Sequence, residues 1–151
     1  MRILIVEDDL VSRKLLEKLL APVGCCDLAA SGDEAIRLFG RRIADGQVYD
    51  LVCLDIMLPA VDGQQVEFAR QGVLPGADGQ QVLKALRLME REHCLPSAKK
   101  AKIFMISALS SAEHIREAFE RGGCDEYLVK PIDRDGLYSM LYKQGLIPLP
   151  S

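Results

Sequence analysis

Long apolar runs are missing from this sequence of 151 residues. No run approaches the ~20 residues that a membrane-spanning helix requires, and the apolar run at residues 3–6 is too short for the hydrophobic region of a secretion signal. Neither sign of charge predominates, because 19 Lys and Arg stand against 22 Asp and Glu. The sequence therefore gives no support for membrane insertion or for direct binding of nucleic acid.

The cysteines lack the spacing of a zinc site or of a redox pair. They are five in number, without any CxxC pair: Cys25, Cys26, Cys53, Cys94 and Cys124. An odd number without such a pattern predicts reduced thiols and a cytosolic setting. The length fits one domain over residues 1–151, and the 49% hydrophobic content is enough to fill a single core.

Short aliphatic runs alternate with longer segments of helical period. The runs predict five strands, at residues 3–6, 26–30, 51–54, 103–106 and 127–129. Apolar residues recur at helical spacing between these runs and again after the last one, which predicts about five helices. Such alternation, with right-handed crossovers, favours an α/β fold: a doubly wound, five-stranded parallel sheet with helices on both faces.

Chemically reactive residues follow four of the five predicted strands. In chain order they are Glu7, Asp8 and Asp9, then Asp55, then Ser107, then Lys130 before Pro131. Each alone has an ordinary structural explanation, such as a helix N-terminal charge, a turn residue, a loop hydroxyl or a solvated lysine. Taken together they indicate a site, because ligands of open parallel sheets bind beyond the carboxyl ends of the strands.

Several carboxylates and one ammonium group would share this small cleft. Crowded carboxylates repel and raise one another's pKa, so a hard divalent cation is their natural partner. Oxygen ligands with one or two carboxylates suit Mg²⁺ better than zinc. The sequence thus predicts a magnesium site at the carboxyl end of the sheet.

Four stretches together resemble the receiver domain of response regulators in two-component signalling. They are ILIVEDD at 3–9, DLVCLDIMLP at 50–59, IFMISA at 103–108 and EYLVKP at 126–131. The resemblance covers nearly the whole chain and implies the flavodoxin-like strand order 2-1-3-4-5. It also implies a cis peptide bond before Pro131.

The resemblance assigns a role to each residue at the strand ends. Asp55 is the expected phosphoacceptor, and the expected Mg²⁺ ligands are Glu7, Asp8, Asp55 and the main-chain carbonyl of Met57, with Asp9 as an accessory acid. Lys130 is expected to pair with a phosphoryl oxygen. Ser107 is the expected switch hydroxyl and Tyr127 the expected switch aromatic.

The expected function is that of a phosphorylation-dependent signalling switch. Asp55 would accept phosphate from a histidine kinase or a histidine phosphotransfer protein, and the change would remodel the face of helix four, strand five and helix five for a downstream target protein. The chain would catalyse its own phosphorylation and dephosphorylation without being an enzyme for a separate substrate. Because Met57 and Leu109 are apolar, we expect a long-lived phosphorylated state.

Three other interpretations are weaker. An aspartyl-phosphate phosphohydrolase would carry a second acid two residues after its nucleophile, where this chain has Met57. A nucleotide-binding domain would carry a glycine-rich turn in place of the acidic residues after strand one. A receiver-like interaction module without phosphorylation would be expected to have lost the acids or the lysine, and both are present. His93 and His114 stand in helical, charged surroundings and are not expected to be sites.

One segment departs from the receiver pattern. Residues 58–66 read LPAVDGQQV and residues 74–82 read LPGADGQQV, which indicates a tandem duplication of the turn after strand three. The spacing from Asp55 to Pro59 predicts that the first copy forms the turn beside the acceptor. The second copy leads into an apolar stripe and is expected to start helix three. An added helical turn or loop around 59–79 is therefore expected near the site. A tolerated surface insertion is its simplest explanation, and the alternative is that it shields the acceptor or supplies a partner surface.

Overall fold

The computed structural model describes residues 1–58 and 79–150. In this part of the chain, five parallel strands form one sheet in the order β2-β1-β3-β4-β5. The strands are β1 (Arg2–Val6), β2 (Cys25–Ala29), β3 (Leu51–Leu54), β4 (Lys102–Ser107) and β5 (Glu126–Val129). The predicted fold class and strand order are confirmed, and each predicted strand end lies within one residue of the observed one.

The described residues form five helices around this sheet. They are α1 (Leu10–Leu20), α2 (Gly32–Ala44), α3 (Gly79–Glu92), α4 (Ala112–Arg116, continued by a π-helical segment Glu117–Gly122) and α5 (Arg134–Lys143). None of these helices combines the length and the apolar character that crossing a membrane would require. The second copy of the duplicated turn leads into α3, as predicted, whereas the predicted position of the first copy lies outside the described residues.

Short polar side chains cap the N-termini of four helices. Asp9 accepts from the backbone of Ser12 at the start of α1, and equivalent caps start α2, α4 and α5. At α4 the cap is Ser111, whose side chain accepts from the backbone N–H of His114. The same helix ends at Gly123, which adopts a left-handed φ of 77°.

The hydrophobic core is divided by the sheet into two layers. One layer packs α2, α3 and α4 against alternate strand residues such as Leu4 and Val52, and the other packs α1 and α5 against their neighbours Ile3 and Leu51. This alternation follows from the two-residue period of a strand. Both faces are covered, which explains why the strands read as continuous apolar runs in the sequence.

The parallel arrangement brings the reactive residues to one edge of the sheet. The backbone N–H of Asp55 donates to the carbonyl of Val6 over 3.1 Å, and that of Lys130 donates to the carbonyl of Ser107 over 2.8 Å. These two bonds continue the ladders just past the ends of the strands. The backbones of the acidic turn after β1 and of the loop that begins at Asp55 after β3 are therefore fixed next to each other.

Candidate phosphoacceptor and metal site

Three carboxylates meet at the carboxyl end of β1 and β3. Glu7, Asp8 and Asp55 each offer an oxygen, and these oxygens all lie within 4.8 Å of one another. Glu7 is 1% exposed and Asp55 5% exposed, whereas Asp8 is exposed to solvent. The group is thus open on the side of Asp8 and closed on the side of the sheet.

Lys130 joins two of these carboxylates. Its Nζ lies 2.7 Å from Oε2 of Glu7 and 3.0 Å from Oδ2 of Asp55. Burial raises the pKa of Glu7 to about 7, and the neighbouring Asp55 adds to this rise while Lys130 opposes it. Burial acts to lower the pKa of Lys130, but its hydrogen bonds with the two carboxylates outweigh this effect and raise it. One ammonium group therefore compensates the group of three carboxylates only in part.

The second oxygen of Asp55 is held by the main chain. The N–H of Met57 donates to Oδ1 over 3.0 Å, so each oxygen of Asp55 accepts one hydrogen bond and the carboxylate is fixed in orientation. The Met57 side chain is 58% exposed. It is apolar, so it adds no polar side chain two residues after Asp55.

Ser107 and Tyr127 both bind the loop that follows β4. The hydroxyl of Ser107, which is fully buried, accepts from the N–H of Leu109 over 3.2 Å. The hydroxyl of Tyr127 donates to the carbonyl of the same residue over 2.6 Å, and its ring packs against the core layer of α2, α3 and α4. Leu109 thus connects the two residues expected to form the switch.

Asp9 and Arg13 support the acidic turn. Asp9 caps α1, and its hydrogen bonds with the backbone and side chain of Ser12 lower its pKa. Arg13 was not anticipated from the sequence: its guanidinium donates to the main-chain carbonyl of Glu7 over 3.0 Å. It lies four residues after Asp9 on the first turn of α1, and no sequence signal separates it from an ordinary solvated helix arginine.

The donor set fits a magnesium ion. All three side chains offer oxygen atoms, and a partly compensated group of carboxylates is the environment that a hard divalent cation stabilises. Glu7, Asp8 and Asp55 are therefore able to hold a metal ion.

An apolar cavity of about 340 Å³ opens beside this site. It lies between α1 and the segment after β5, and its lining comprises Ser12, Leu15, Leu16, Lys130, Pro131 and Ile132. The peptide bond before Pro131 is cis, as the resemblance implied. Three apolar residues at the start of α1 are exposed near this cavity: Leu10 at 53%, Val11 at 75% and Leu15 at 44%.

Solved structures with the same architecture are receiver domains. A CheY-like response regulator receiver domain from Methylobacillus flagellatus is 28% identical, with a TM-score of 0.63 over 95% of this chain and 97% of that chain. The receiver domain of a sensor histidine kinase from Pseudomonas aeruginosa PAO1, with magnesium coordinated in its active-site cleft, is 24% identical, with a TM-score of 0.65 over 94% of each chain. The chain is a receiver domain of the response-regulator type.

Curated relatives match this receiver domain through part of their length. The probable transcriptional regulatory protein SilR of Salmonella typhimurium is 34% identical over 132 residues, which cover 87% of this chain and 45% of SilR. Hybrid signal transduction histidine kinase L of Dictyostelium discoideum is 28% identical over 145 residues, 95% of this chain and 7% of the kinase. The receiver domain thus spans less than half the length of these two relatives. No protein-family model matches the chain.

Proposed function

We propose that this receiver domain is a phosphorylation-dependent switch in which Asp55 accepts a phosphoryl group in a magnesium-dependent reaction. The observation that carries the proposal is the position of Asp55. Its carboxylate is buried beside two further acids and bonded to Lys130, at the sheet edge where ligands of this fold bind.

Each residue at the edge has a part in the proposed transfer. A carboxylate oxygen of Asp55 attacks phosphorus, the bond from phosphorus to the donor's imidazole nitrogen breaks, and its electron pair returns to the ring. Glu7, Asp8, Asp55 and the carbonyl of Met57 would hold Mg²⁺, which when bound cancels negative charge between the acceptor and the phosphoryl group. The proposed ligand set and the acceptor role come from the resemblance and are supported by the proximity of the three carboxylates.

Lys130 holds the acceptor ready for the reaction. Its ammonium lies 3.0 Å from Oδ2 of Asp55, close enough to follow that oxygen when it binds phosphorus and to donate to a phosphoryl oxygen instead. The bond to Glu7 keeps the ammonium at the site during this exchange.

The proposed readout runs through Ser107, Leu109 and Tyr127. A phosphoryl group on Asp55 brings new acceptor oxygens, and the Ser107 hydroxyl would donate to one of them in place of its present bond with the N–H of Leu109. Leu109 also accepts from Tyr127, so a shift of this loop moves both bonds together. We propose that this remodels the face formed by α4, β5 and α5 for a downstream target protein.

We propose that the phosphodonor is a histidine kinase or a histidine phosphotransfer protein. The apolar residues Leu10, Val11 and Leu15 and the cavity beside Lys130 support a protein donor, because they offer docking surface next to the acceptor. A cytoplasmic location agrees with the five free thiols. We propose no direct contact with nucleic acid or membrane, and we class the chain as a signalling protein that catalyses its own phosphorylation and dephosphorylation.

Incubation with a small-molecule phosphodonor and Mg²⁺, followed by intact mass spectrometry, tests the proposal. We expect wild-type protein to gain one phosphate. Asp55→Asn, Asp8→Ala or an excess of chelator should each abolish the gain. Equal labelling of Asp55→Asn would show that another residue is the acceptor, and the proposal would then be wrong.

A further inference from the structure

The duplicated turn offers two glycines for the same position next to Asp55. Gly63 follows Asp55 by eight residues and Gly79 follows it by twenty-four, and the five letters DGQQV surround each of them. Sequence spacing favoured the first copy as the turn beside the acceptor. In the described part of the chain, Gly79 of the second copy contacts the residues at and after Asp55, the acceptor loop.

Gly79 lies directly against the backbone of the acceptor. Its N–H donates to the carbonyl of Ile56 over 2.7 Å. A Cβ atom added at Gly79 would stand 2.0 Å from the carbonyl oxygen of Asp55 and 2.6 Å from the Cα of Ile56. Both contacts are with main-chain atoms, so a side chain at this position would force the acceptor loop to move.

Burial explains why the second copy is the one that enters α3. Leu83 and Leu86 are fully buried in this helix. The first copy, read at the same offsets from its glycine, would place Glu67 and Arg70 at these two positions. Burying an unpaired carboxylate and an unpaired guanidinium is strongly unfavourable. The two copies share the sequence DGQQV, so the residues after it decide which copy can start the buried helix.

The second copy is also held from its other side. Gln80 is 6% exposed, and its amide donates to the main-chain carbonyl of His114 in α4 over 3.0 Å. Leu83 packs closely on Gly122, because a Cβ atom added at Gly122 would lie 2.3 Å from the side chain of Leu83. The start of α3 is thus fixed between α4 and the acceptor loop.

We propose that Gly79 is the positioning residue of the acceptor. Gly79 fixes the main chain of Asp55 and Ile56, and through it the direction in which the Asp55 carboxylate meets Lys130, Glu7 and Asp8. This inference rests on the proposed function of Asp55. The turn predicted for the first copy, after Leu58, lies outside the described residues.

A pair of matched substitutions tests the inference, because the chain carries its own control. Gly79→Ala should slow phosphorylation by small-molecule donor by about 100-fold, as expected for a misplacement of about 1 Å. It should also raise the Mg²⁺ concentration that gives half the maximal rate. Gly63→Ala should leave both quantities within about twofold of wild type. Wild-type behaviour of Gly79→Ala, or the same loss in Gly63→Ala, would overturn the inference.

A third variant separates positioning from a loss of stability. Gln80→Ala loosens the start of α3 from the side of α4 without touching the acceptor loop. We expect it to lower the unfolding midpoint while leaving the Mg²⁺ dependence of phosphorylation unchanged. If the Mg²⁺ dependence of phosphorylation shifted in Gln80→Ala as much as in Gly79→Ala, the positioning role would be overturned. General loosening of α3 would then be sufficient to explain the effect of Gly79→Ala.

A measurement on the wild-type protein covers the case in which Gly79→Ala does not fold. With ¹⁵N-labelled glycine, the Gly79 amide should exchange slowly with solvent and should shift when Mg²⁺ and beryllofluoride are added. The Gly63→Ala spectrum identifies the resonance of the other copy. A slow, shifting resonance at Gly63 and none at Gly79 would overturn the inference. Failure of the wild-type protein to accept phosphate would reject the proposed function instead, so the two failures are distinguishable.

Discussion

Two charge clusters of this receiver domain are built from similar residues and differ in how many of their charged groups have partners. The acceptor cluster consists of Glu7, Asp8, Asp55 and Lys130. The arginine cluster consists of Arg87, Glu90 and Asp125. Each combines carboxylates with one cation, yet one has the properties of a reactive site and the other those of a structural connection.

The cation of the arginine cluster is surrounded by hydrogen-bond acceptors. The guanidinium of Arg87 donates to Glu90 over 2.7 Å, to Asp125 over 2.8 Å, and to the main-chain carbonyls of Ala101 and Gly123. Glu90, fully buried, also accepts from the N–H of Ala101 over 2.7 Å. These bonds tie α3 to the start of β4 and to the end of α4, and they leave no reason for a further ion.

The acceptor cluster has only one cation for three carboxylates. One ammonium serves two buried carboxylates, and the third acid, Asp8, projects to solvent. Burial raises the pKa of Glu7 and Asp55 adds to the rise, while the shared Lys130 offsets it only in part. The comparison supports the proposal that a divalent cation binds at the acceptor cluster and that Asp55 accepts a phosphoryl group there.

Removing the cation of the arginine cluster should have the largest effect on folding. Arg87→Met leaves Glu90 buried without its partner, and we expect the free energy of unfolding to fall by about 3–5 kcal/mol. Arg121→Met is the matched control, because the Arg121 side chain is 76% exposed in its pair with Glu117 and should change stability by less than about 0.5 kcal/mol. Urea denaturation measures both, and equal losses would contradict the structural role of Arg87.

A polar side chain beside the acceptor should shorten the life of the phosphorylated state. Met57→Asn can orient a water molecule toward the phosphorylated Asp55, and we expect dephosphorylation about tenfold faster, or ~1.4 kcal/mol in activation free energy. Leu149→Asn, at an exposed position of the C-terminal segment, is the control. Loss of phosphate from purified phosphoprotein, followed by intact mass, gives the rates; an unchanged rate would show that water access is not limiting.

Neutralising one acid should have opposite effects in the two clusters. Without Mg²⁺, Asp55→Asn relieves repulsion with Glu7 and Asp8 and should raise the free energy of unfolding by about 1 kcal/mol. Asp125→Asn should lower it, because Asp125 accepts from both Arg87 and the N–H of Ile103. Denaturation in the presence of chelator gives the sign of each change in the free energy of unfolding. A lower free energy of unfolding in both variants would contradict the comparison.

The smallest expected effect concerns an exposed pair outside both clusters. Lys84 lies 2.9 Å from Glu117, and this hydrogen bond lowers the pKa of Glu117 below its usual 4.5. A lowered pKa stabilises the fold above pH 4.5, and the contribution is lost as the pH falls through the folded-state value. Lys84→Met should therefore lower the unfolding midpoint slightly at pH 7, with a difference that shrinks below pH 4.5. A difference that persists at low pH, or one that Glu117→Gln leaves intact, would contradict this assignment.

The fold and the acceptor cluster were predictable from sequence for the same reason. In a parallel sheet, the residues that directly follow each strand must meet at one edge, so locating the strands also located Glu7, Asp55, Ser107 and Lys130. The arginine cluster was not predictable. Its members come from α3 and from the segment before β5, and nothing local in the sequence distinguishes Arg87 from a solvated helix arginine.

The contact of Gly79 with the residues after Asp55 was beyond local sequence, although the apolar stripe after the second copy correctly predicted the start of α3. Gly63 and Gly79 occur in the same five-residue sequence, DGQQV, and Gly63 has the spacing from Asp55 that is expected of a receiver. The choice depends on which copy is followed by residues that can be buried, as Leu83 and Leu86 are. The sequence shows this apolar stripe, whereas the approach of Gly79 to Ile56 depends on how α3 packs against the sheet.

Calorimetric titration with Mg²⁺ tests the difference between the two clusters most directly. We expect wild-type protein to bind one ion per chain, Asp8→Asn to lose measurable binding, and Asp125→Asn, verified as folded by circular dichroism, to keep it. That pattern would show that the unbalanced carboxylates of the acceptor cluster are the cation site. Absence of binding in the wild type, or undiminished binding in Asp8→Asn, would contradict the account.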